Sequence, residues 1–425
     1  NDPEILECVE KLRRKGLDVH IKSTKSEKYA IRPTSETIIY PHFASWIKST
    51  GKYPKINQWA NVVRWENKAT LPFIRSREFL WQEGHTCHKD EKTSLSEIDL
   101  VIDLYKDFYK NVLAVPMIQG IKTKSETFPG AEMTATIEGV FPDQGKGIQS
   151  ATSHYLGEKF SKIFNIKNSD GQFVHQNSWG LTTRSIGIMV MTHSDDRGLS
   201  LPPNVSPIQV VIVGCGLNSK TTEEDKKLVH DELMKLQDVL NANGIRTFYD
   251  SDPSESPGMK FNKWEIRGVP LRIEIGPRDI KSGSMFFVRR DQAMGIKHRI
   301  NAQEVDPGFV RQTLDQIQTE MFNKALDKIK NTIQWINDVS NNGDDTTDNF
   351  ESVIQGLRDK KLVMISCKIE KINQLEIKLK NHCLANDINS VKVLCLPTSD
   401  VLKELDCPYG PLDQDTAWVL YGKSY

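Results

Sequence analysis

Nowhere in its 425 residues does the chain contain an apolar run near the roughly 18 residues that cross a bilayer. The amino terminus, Asn1-Asp-Pro-Glu, has neither a basic segment nor an apolar core of the kind that directs secretion. These absences predict a cytoplasmic location. The seven cysteines (8, 87, 215, 367, 383, 395 and 407) are odd in number and widely spaced, and none forms a Cys-x-x-Cys pair. That pattern argues against a disulfide framework and against a zinc knuckle, so the thiols are expected to be reduced and structural. On a strand, His85 and Cys87 of His85-Thr-Cys87-His88 share one face while His88 points away, which favours a packed or substrate-facing histidine over a metal ligand.

A phosphate-binding loop of the Walker type is missing too. Gly214-Cys-Gly216 lacks the third glycine of a dinucleotide fingerprint and precedes an acidic helix, so it reads as a turn. Formal net charge is zero, 56 basic residues against 56 acidic, which leaves any nucleic-acid partner dependent on a local patch. Lys260 to Ile300 holds ten Lys or Arg against four Asp or Glu, while Thr221 to Glu255 holds four against nine. The reversal fits either a basic binding face or two oppositely charged solvated faces.

The residues that are present, 38% hydrophobic and 26% charged, make a folded chain long enough for two to four domains. Gly198-Leu-Ser-Leu-Pro-Pro-Asn-Val-Ser-Pro207 reads as a linker, because each proline removes an amide donor and restricts its neighbour. Beyond it, the strand-like Ile208 to Val213, the helical Thr221 to Asn243 and the strand-like Ile245 to Tyr249 form a β-α-β unit. A helix opened by Ser256-Pro-Gly258 and running to Arg267 follows, then strands over Val269 to Ile275 and Met285 to Arg290. Apolar residues at helical spacing predict one long amphipathic helix from Pro307 to Val339, with a mobile loop from Asn341 to Asn349. The expected architecture is α/β and multidomain, divided as 1–206, 207–301 and 302–425.

The stretch with most chemical content is Arg64-Trp65-Glu66 followed by Arg75-Ser-Arg-Glu-Phe79. Gln58 to Glu66 and Phe73 to Glu83 read as two strands joined by a polar, proline-containing loop, an antiparallel hairpin with an arginine on each arm. Guanidinium groups stay charged and present planar forks to phosphate oxygens, and an aromatic face stacks on a base. The hairpin is suited to a bent nucleoside triphosphate. It equally fits a solvated hairpin whose arginines pair with Glu66 and Glu78.

Ala30-Ile-Arg-Pro-Thr-Ser-Glu36, the Arg64 hairpin, Gln82-Glu-Gly-His85, Gln149-Ser-Ala-Thr-Ser-His154 and Asn177-Ser-Trp-Gly-Leu-Thr-Thr-Arg184 occur in one order. Together they resemble the class II prolyl-tRNA synthetases of the eukaryotic and archaeal type. Pro257 to Pro270 is similar to that family's anticodon-binding segment. The resemblance implies an antiparallel-sheet catalytic domain, an α/β anticodon-binding domain and a small α/β C-terminal domain. It implies that ATP and magnesium activate L-proline to prolyl adenylate, and that proline then passes to the 3′ end of its tRNA. By matching position, Arg64, Arg75 and Arg184 would be the catalytic arginines, with Glu66, Phe79, Gln149, Thr152 and Thr182 as further ATP contacts. Thr34, Glu36, Arg64, Trp81, Glu83, His85 and His154 would form the proline site, and Phe128, Glu83, Thr152 and His154 the pocket for the terminal adenosine of tRNA. Singly, each has a plain alternative: Trp81 as core, His154 as a satisfied histidine, Glu36 as a helix cap.

Three departures from the family accompany the match. Relatives carry a long segment ahead of the Arg-Pro-Thr-Ser-Glu signature that supplies much of a homodimer interface; about thirty residues precede it here, so the sequence is expected to be incomplete there. Many relatives hold zinc with two close cysteine pairs, whereas Cys367, Cys383, Cys395 and Cys407 lie twelve or sixteen residues apart, and no structural zinc is expected. Fewer than a hundred residues separate Glu83 from Leu181, too few for an inserted editing domain. The ending Gly422-Lys-Ser-Tyr425 resembles the family's terminal tyrosine, which lies near the active site.

Overall fold

A computed structural model describes residues 3–16, 31–217, 221–337 and 347–425. It divides into two units, Asn1–Pro33 and Thr34–Tyr425. In the first, helix α1 (Pro3–Arg14) carries the i,i+4 pair Lys11–Glu7 at 2.9 Å. The second holds the rest of the secondary structure.

That unit begins with α2 (Glu36–Thr50), ended by Gly51 at φ 66°, and the antiparallel hairpin β1 (Lys55–Val63) and β2 (Glu78–His88), registered Val62 to Phe79. Helix α3 (Glu91–Asp107) starts where the Asp90 carboxylate accepts the Thr93 amide at 2.8 Å, an N-cap that satisfies one of the helix's open donors. Then follow β3 (Ile118–Ile121), β4 (Met133–Phe141), β5 (Lys146–Gly157), the short α4 (Lys159–Ile163), β6 (His175–Thr182) and α5 (Arg184–His193). Next come β7 (Val210–Gly214), α6 (Glu223–Ala242), β8 (Thr247–Asp250), α7 (Pro257–Ile266), β9 (Leu271–Ile275), α8 (Pro277–Ser282), β10 (Ser284–Arg289) and β11 (His298–Asn301). The chain closes with α9 (Pro307–Thr332), β12 (Ile333–Ile336), α10 (Thr347–Arg358), β13 (Leu362–Lys368), α11 (Ile372–Ala385), β14 (Val391–Pro397), α12 (Ser399–Glu404) and β15 (Thr416–Ser424).

Two sheets organise these elements. The larger has ten strands in the order β1-β2-β6-β5-β4-β3-β14-β15-β13-β12, and the smaller has five in the order β11-β10-β9-β7-β8. In the smaller, β7 and β8 run parallel with Val210 opposite Thr247, as the β-α-β pattern requires. Strands β12 to β15 continue the larger sheet through an antiparallel step from β14 to β3, Leu396 opposite Ile121. A Cβ on Gly120 would lie 2.3 Å from the Leu396 carbonyl oxygen, so glycine is what lets these strands close on each other.

Helix α3 lies on the larger sheet, where Ile98, Ile102 and Tyr105 join Ile137, Ile148 and Ala151 in a dry core. The prolines of 198–207 do not make a free tether: Leu199 and Leu201 donate to the carbonyls of Ile266 and Gly268 at 2.9 and 3.1 Å. Arg290 reaches the Asp195 carboxylate with both terminal nitrogens, and Arg197 bridges Asp195 and Glu265. Hydrogen bonds from Arg290 hold the Asp195 carboxyl well below its usual range.

Two elements differ from their expected form. The long helix ends at Thr332 and not at Val339, because Ile333 to Ile336 pairs in parallel with Leu362 to Ile365 and the β-branched and aromatic residues there take strand conformation. Of the expected loop at 341–349, residues 341–346 lie outside the described residues and α10 starts at Thr347. In the hairpin, Phe73 to Arg77 is not strand. Pro72 lacks an amide donor, Phe73 adopts φ 59°, and a Leu71–Arg75 bridge closes the loop, so Arg75 sits in the connection and not on an arm.

Behind the β2 strand, Glu97 of α3 gathers Thr86, His88 (2.8 Å), Asn177 (3.0 Å) and Lys55 (3.0 Å). Burial raises its carboxyl, but these donors outweigh burial and bring it down to about 2. A carboxyl depressed in the fold stabilises above its unfolded range and loses that contribution as pH falls. Glu97→Gln is therefore expected to cost about 1–3 kcal/mol at pH 7, with the difference from wild type shrinking as pH drops from the ordinary carboxyl range toward 2, in urea unfolding followed across pH.

Candidate active site

Antiparallel pairing fixes which side chains share a face. Phe79, Trp81, Glu83 and His85 alternate along β2, and the β2–β6 register sets Glu83 opposite Gly180 and Trp81 opposite Thr182. Strand β5 on the far side of β6 contributes Gln149, Thr152 and His154. The loop between β3 and β4 adds Phe128, and the start of α2 adds Thr34 and Glu36. All the site residues expected from sequence line one open cleft of about 380 Å³: Thr34, Glu36, Arg64, Glu66, Arg75, Phe79, Trp81, Glu83, His85, Phe128, Gln149, Thr152, His154, Thr182 and Arg184.

One end of the cleft is internally neutralised. Glu83, 2% exposed, accepts from Ser35 and Gln58 on Oε1, both at 2.5 Å, and from His85 Nε2 on Oε2 at 2.9 Å. An ionised carboxylate only accepts, so Nε2 of His85 carries the proton and Nδ1 accepts from the Tyr40 hydroxyl at 3.1 Å. Burial pushes Glu83 upward, yet the bonds from His85, Ser35 and Gln58 leave it below its ordinary range. Glu36, also buried, accepts from Thr34. His154 is pinned between the Thr134 and Thr152 hydroxyls at 2.9 and 3.0 Å, with the Phe128 ring 4.7 Å away. Burial, with help from nearby His85, lowers its pKa to about 3, so it is neutral at physiological pH.

The other end collects positive charge. Arg184, the first residue of α5, donates from Nε to the Ile74 carbonyl (3.0 Å) and from a terminal nitrogen to that of Gln149 (2.8 Å). Burial lowers its pKa, as do the neighbouring Arg75 and Arg64. Arg75 stands 3.7 Å from Glu66, too long for a tight ion pair. The Arg64 guanidinium lies 5.5 Å from the Phe79 ring and 5.4 Å from the Trp81 ring. Three guanidinium groups and an aromatic face around one hollow make a receptor for a polyanion joined to a flat ring.

Sequence reasoning assigned no role to Trp179 or Thr134. Trp179 turns its ring away from the cleft, over Gly84 on the α3 side of the sheet and against the core, where an added Cβ on Gly84 would come within 2.1 Å of it. The small-against-large pairing of Gly84 with Trp179 across β2 and β6 is the signal that could have found it. Thr134 acts only through His154, and nothing in its local sequence marks that contact. Among the described residues, the buried indole N–H of Trp81, on the cleft face of β2, has no partner in the protein, which leaves it available to a ligand. His85 and His88 belong to separate networks, on Glu83 and Glu97, and Cys87 packs in the core beside Tyr40 and Phe43. Cys367 and Cys383 lie in one core and Cys395 in another. Tyr425 is not part of the cleft wall. It packs on Phe141, lies 4.4 Å from the Lys146 ammonium and donates to Gln144, bracing the β4–β5 turn.

Comparison with known proteins agrees with this geometry. Residues 19–193 match the tRNA synthetase class II core domain (G, H, P, S and T), and residues 209–307 match the anticodon binding domain. The chain is 39% identical over 414 residues to the proline–tRNA ligase of Encephalitozoon cuniculi, covering 93% of this chain and 78% of that one. The chain belongs to the proline–tRNA ligase family. The cytoplasmic proline–tRNA ligase of Arabidopsis thaliana is 37% identical over 417 residues, 95% of this chain and 74% of that one. A relative from Saccharomyces cerevisiae is 45% identical over 311 residues, and the match spans 45% of its length. Measured against that relative, the chain spans less than half of a family member. The Gly84–Trp179 contact lies on the core face of the sheet that carries the cleft. Gly84→Ala is expected to lower stability by about 1–3 kcal/mol through overpacking and to change intrinsic tryptophan fluorescence, in a denaturant titration followed at both wavelengths of ring emission and far-UV signal.

Proposed function

We propose that the chain activates L-proline with ATP and transfers it to tRNA(Pro). The convergence of Arg64, Arg75 and Arg184 with Phe79 on the same cleft as the closed Thr34, Glu36 and His154 end is the observation that carries this reading. Residues 1–206 would be the catalytic part, 207–301 the anticodon-binding part and 302–425 the C-terminal part. The active species would be a cytoplasmic homodimer. Among the described residues no helix is long and apolar enough to cross a membrane.

At the cationic end, adenine stacks on Phe79 while Arg184 and Arg75 hold the outer phosphates bent back over the base, with Gln149 and Thr182 beside them and Thr152 at the junction with the amino-acid end. Arg64 stands between the two ends, where the α-phosphate and the proline carboxylate meet. The attack by that carboxylate concentrates negative charge at the α-phosphate, and a fixed guanidinium stabilises it without reorganisation. Magnesium binds through phosphate oxygens, waters and one or two carboxylates; Glu66, beside Arg75, is the carboxylate that fits it, and when bound the ion would offset phosphate charge. At the other end, the Glu36 carboxylate suits a cationic secondary amine, and Trp81 encloses an apolar ring. Glu83 and His85 form the wall behind it. Neutral His154 and Phe128 offer a flat surface to the terminal adenosine.

The transfer step needs no strong protein base: with the ribose hydroxyl held against the activated carbonyl, positioning supplies much of the rate. No editing insertion fits between β2 and β6, since α3, β3, β4 and β5 fill that span. A pocket separates amino acids by only about 1–3 kcal/mol per missing methylene, so alanine is expected to support measurable, weaker adenylate formation.

Amino-acid-dependent exchange of pyrophosphate into ATP, run across the twenty amino acids, tests the reading. Exchange is expected to be strongest with proline and to fall about 10²-fold or more in Arg64→Ala, with thermal unfolding unchanged because that side chain lies at the exposed mouth. Near-wild-type exchange by Arg64→Ala would remove the residue from the chemistry. Well-folded wild type without exchange would point instead to a binding protein on a synthetase scaffold.

A further inference from the structure

A second hollow, of about 250 Å³, adjoins the cleft, and Glu126 lines both. Its floor is apolar, built from Ile388 and Val391 with Leu384 half-exposed above them. Its rim carries three lysines from separate parts of the chain: Lys68 from the loop between β1 and β2, Lys380 from α11 and Lys392 from β14. Lys392 is engaged by Glu126 at 2.7 Å, which fixes the shared wall. The ammonium groups of Lys68 and Lys380 are exposed and have no ion-pair partner within 4 Å among the described residues. An apolar floor under unpaired cations is what a single-stranded nucleic acid uses: bases and riboses on the floor, phosphates on the rim.

Position says which strand. The loop that carries Glu126 also carries Phe128, which stacks near His154 at 4.7 Å, in the part of the cleft read as the terminal-adenosine pocket. Glu126 lines both hollows, which gives a strand ending there a way out over the second. We infer that the Lys68–Lys380–Lys392 hollow holds the single-stranded 3′ end of tRNA just before its terminal adenosine, with Lys68 and Lys380 on the phosphates. The inference rests on the proposed tRNA-charging function. It gives the C-terminal part of the chain a direct role in the transfer step, and none in amino-acid activation.

The test uses the full chain and the double variant Lys68→Glu, Lys380→Glu. Both side chains are exposed, and proline-dependent exchange, which needs no RNA, serves as the control for folding. Exchange is expected to stay within about twofold of wild type while KM for tRNA in charging rises about tenfold or more. Binding is read by fluorescence anisotropy with an RNA hairpin copying the acceptor stem, with and without its single-stranded 3′ end. Wild type should bind the tailed hairpin tighter, and the variant should lose that preference. For the tailed RNA, the slope of log K against log salt should fall by about 0.7 for each lost phosphate contact. Unchanged KM and an unchanged preference for the tail would overturn the assignment. Should wild type show no exchange, the charging function fails separately, and the anisotropy curves still decide the hollow: identical curves overturn it, and a lost tail preference supports it.

Discussion

The buried carboxylate of Glu83 is the constraint around which the amino-acid end of the cleft is built. An ionised group at 2% exposure is costly unless each oxygen is met by donors. The donors come from three places in the chain: Ser35 at the entrance to α2, Gln58 on β1, and His85 two residues along β2. Satisfying one carboxylate thus fixes the helix that presents Thr34 and Glu36 against the hairpin that presents Arg64 and Phe79. His85 is locked in one tautomer by the same arrangement, with Tyr40 closing the chain of bonds from within the core. Among the described residues, what this end leaves open to a ligand is the Trp81 indole N–H, the Ser178 hydroxyl and the Glu36 carboxylate, which accepts from Thr34.

The cationic end follows the opposite logic. Arg184 spends part of its fork on two backbone carbonyls, which holds the guanidinium still without cancelling its charge. The carboxylate nearest Arg75 stands off at 3.7 Å. Burial, helped by the neighbouring Arg75 and Arg64, weakens the hold of Arg184 on its proton, and burial does the same to Arg64, but guanidinium stays ionised in proteins. The unfavourable energy of gathered positive charge is relieved when an anion arrives. One end of the cleft is a largely hydrogen-bonded wall around buried carboxylates and the other an unfinished electrostatic one, which is the asymmetry that a small cationic amine and a polyanion call for.

Much of the cleft was legible in the sequence because its residues alternate on strands whose boundaries are well marked. Phe79, Trp81, Glu83 and His85 announce a face by spacing alone. The β-α-β unit around α6 was equally plain. What escaped were features decided by distant neighbours. Arg75 left its strand because Pro72 and Phe73 broke the ladder, a loop geometry invisible to alternation. Ile333 to Ile336 fits the helical repeat of α9 as well as it fits a strand, and only the presence of β13 alongside decides the matter. Trp179 and Thr134 took their places through Gly84 and His154, partners far away in sequence.

The C-terminal strands show why the sheet and the site cannot be considered apart. β14 docks on β3, and the interface contains Lys122, buried and bonded both to the Leu394 carbonyl of β14 (2.7 Å) and to Glu138 of β4 (2.6 Å). Glu138 also accepts from Thr136 and lies opposite Gln149 of β5 in the ladder. A buried ion pair earns little net stability, since desolvation opposes the attraction, but it is intolerant of misregister because either partner alone is a bare buried charge. Lys122 therefore acts as a register pin: β14 must sit where its carbonyl meets the lysine, and β4 and β5 must sit where Glu138 does. The strand that carries Gln149, Thr152 and His154 is held by the same bond that attaches the C-terminal strands to the sheet.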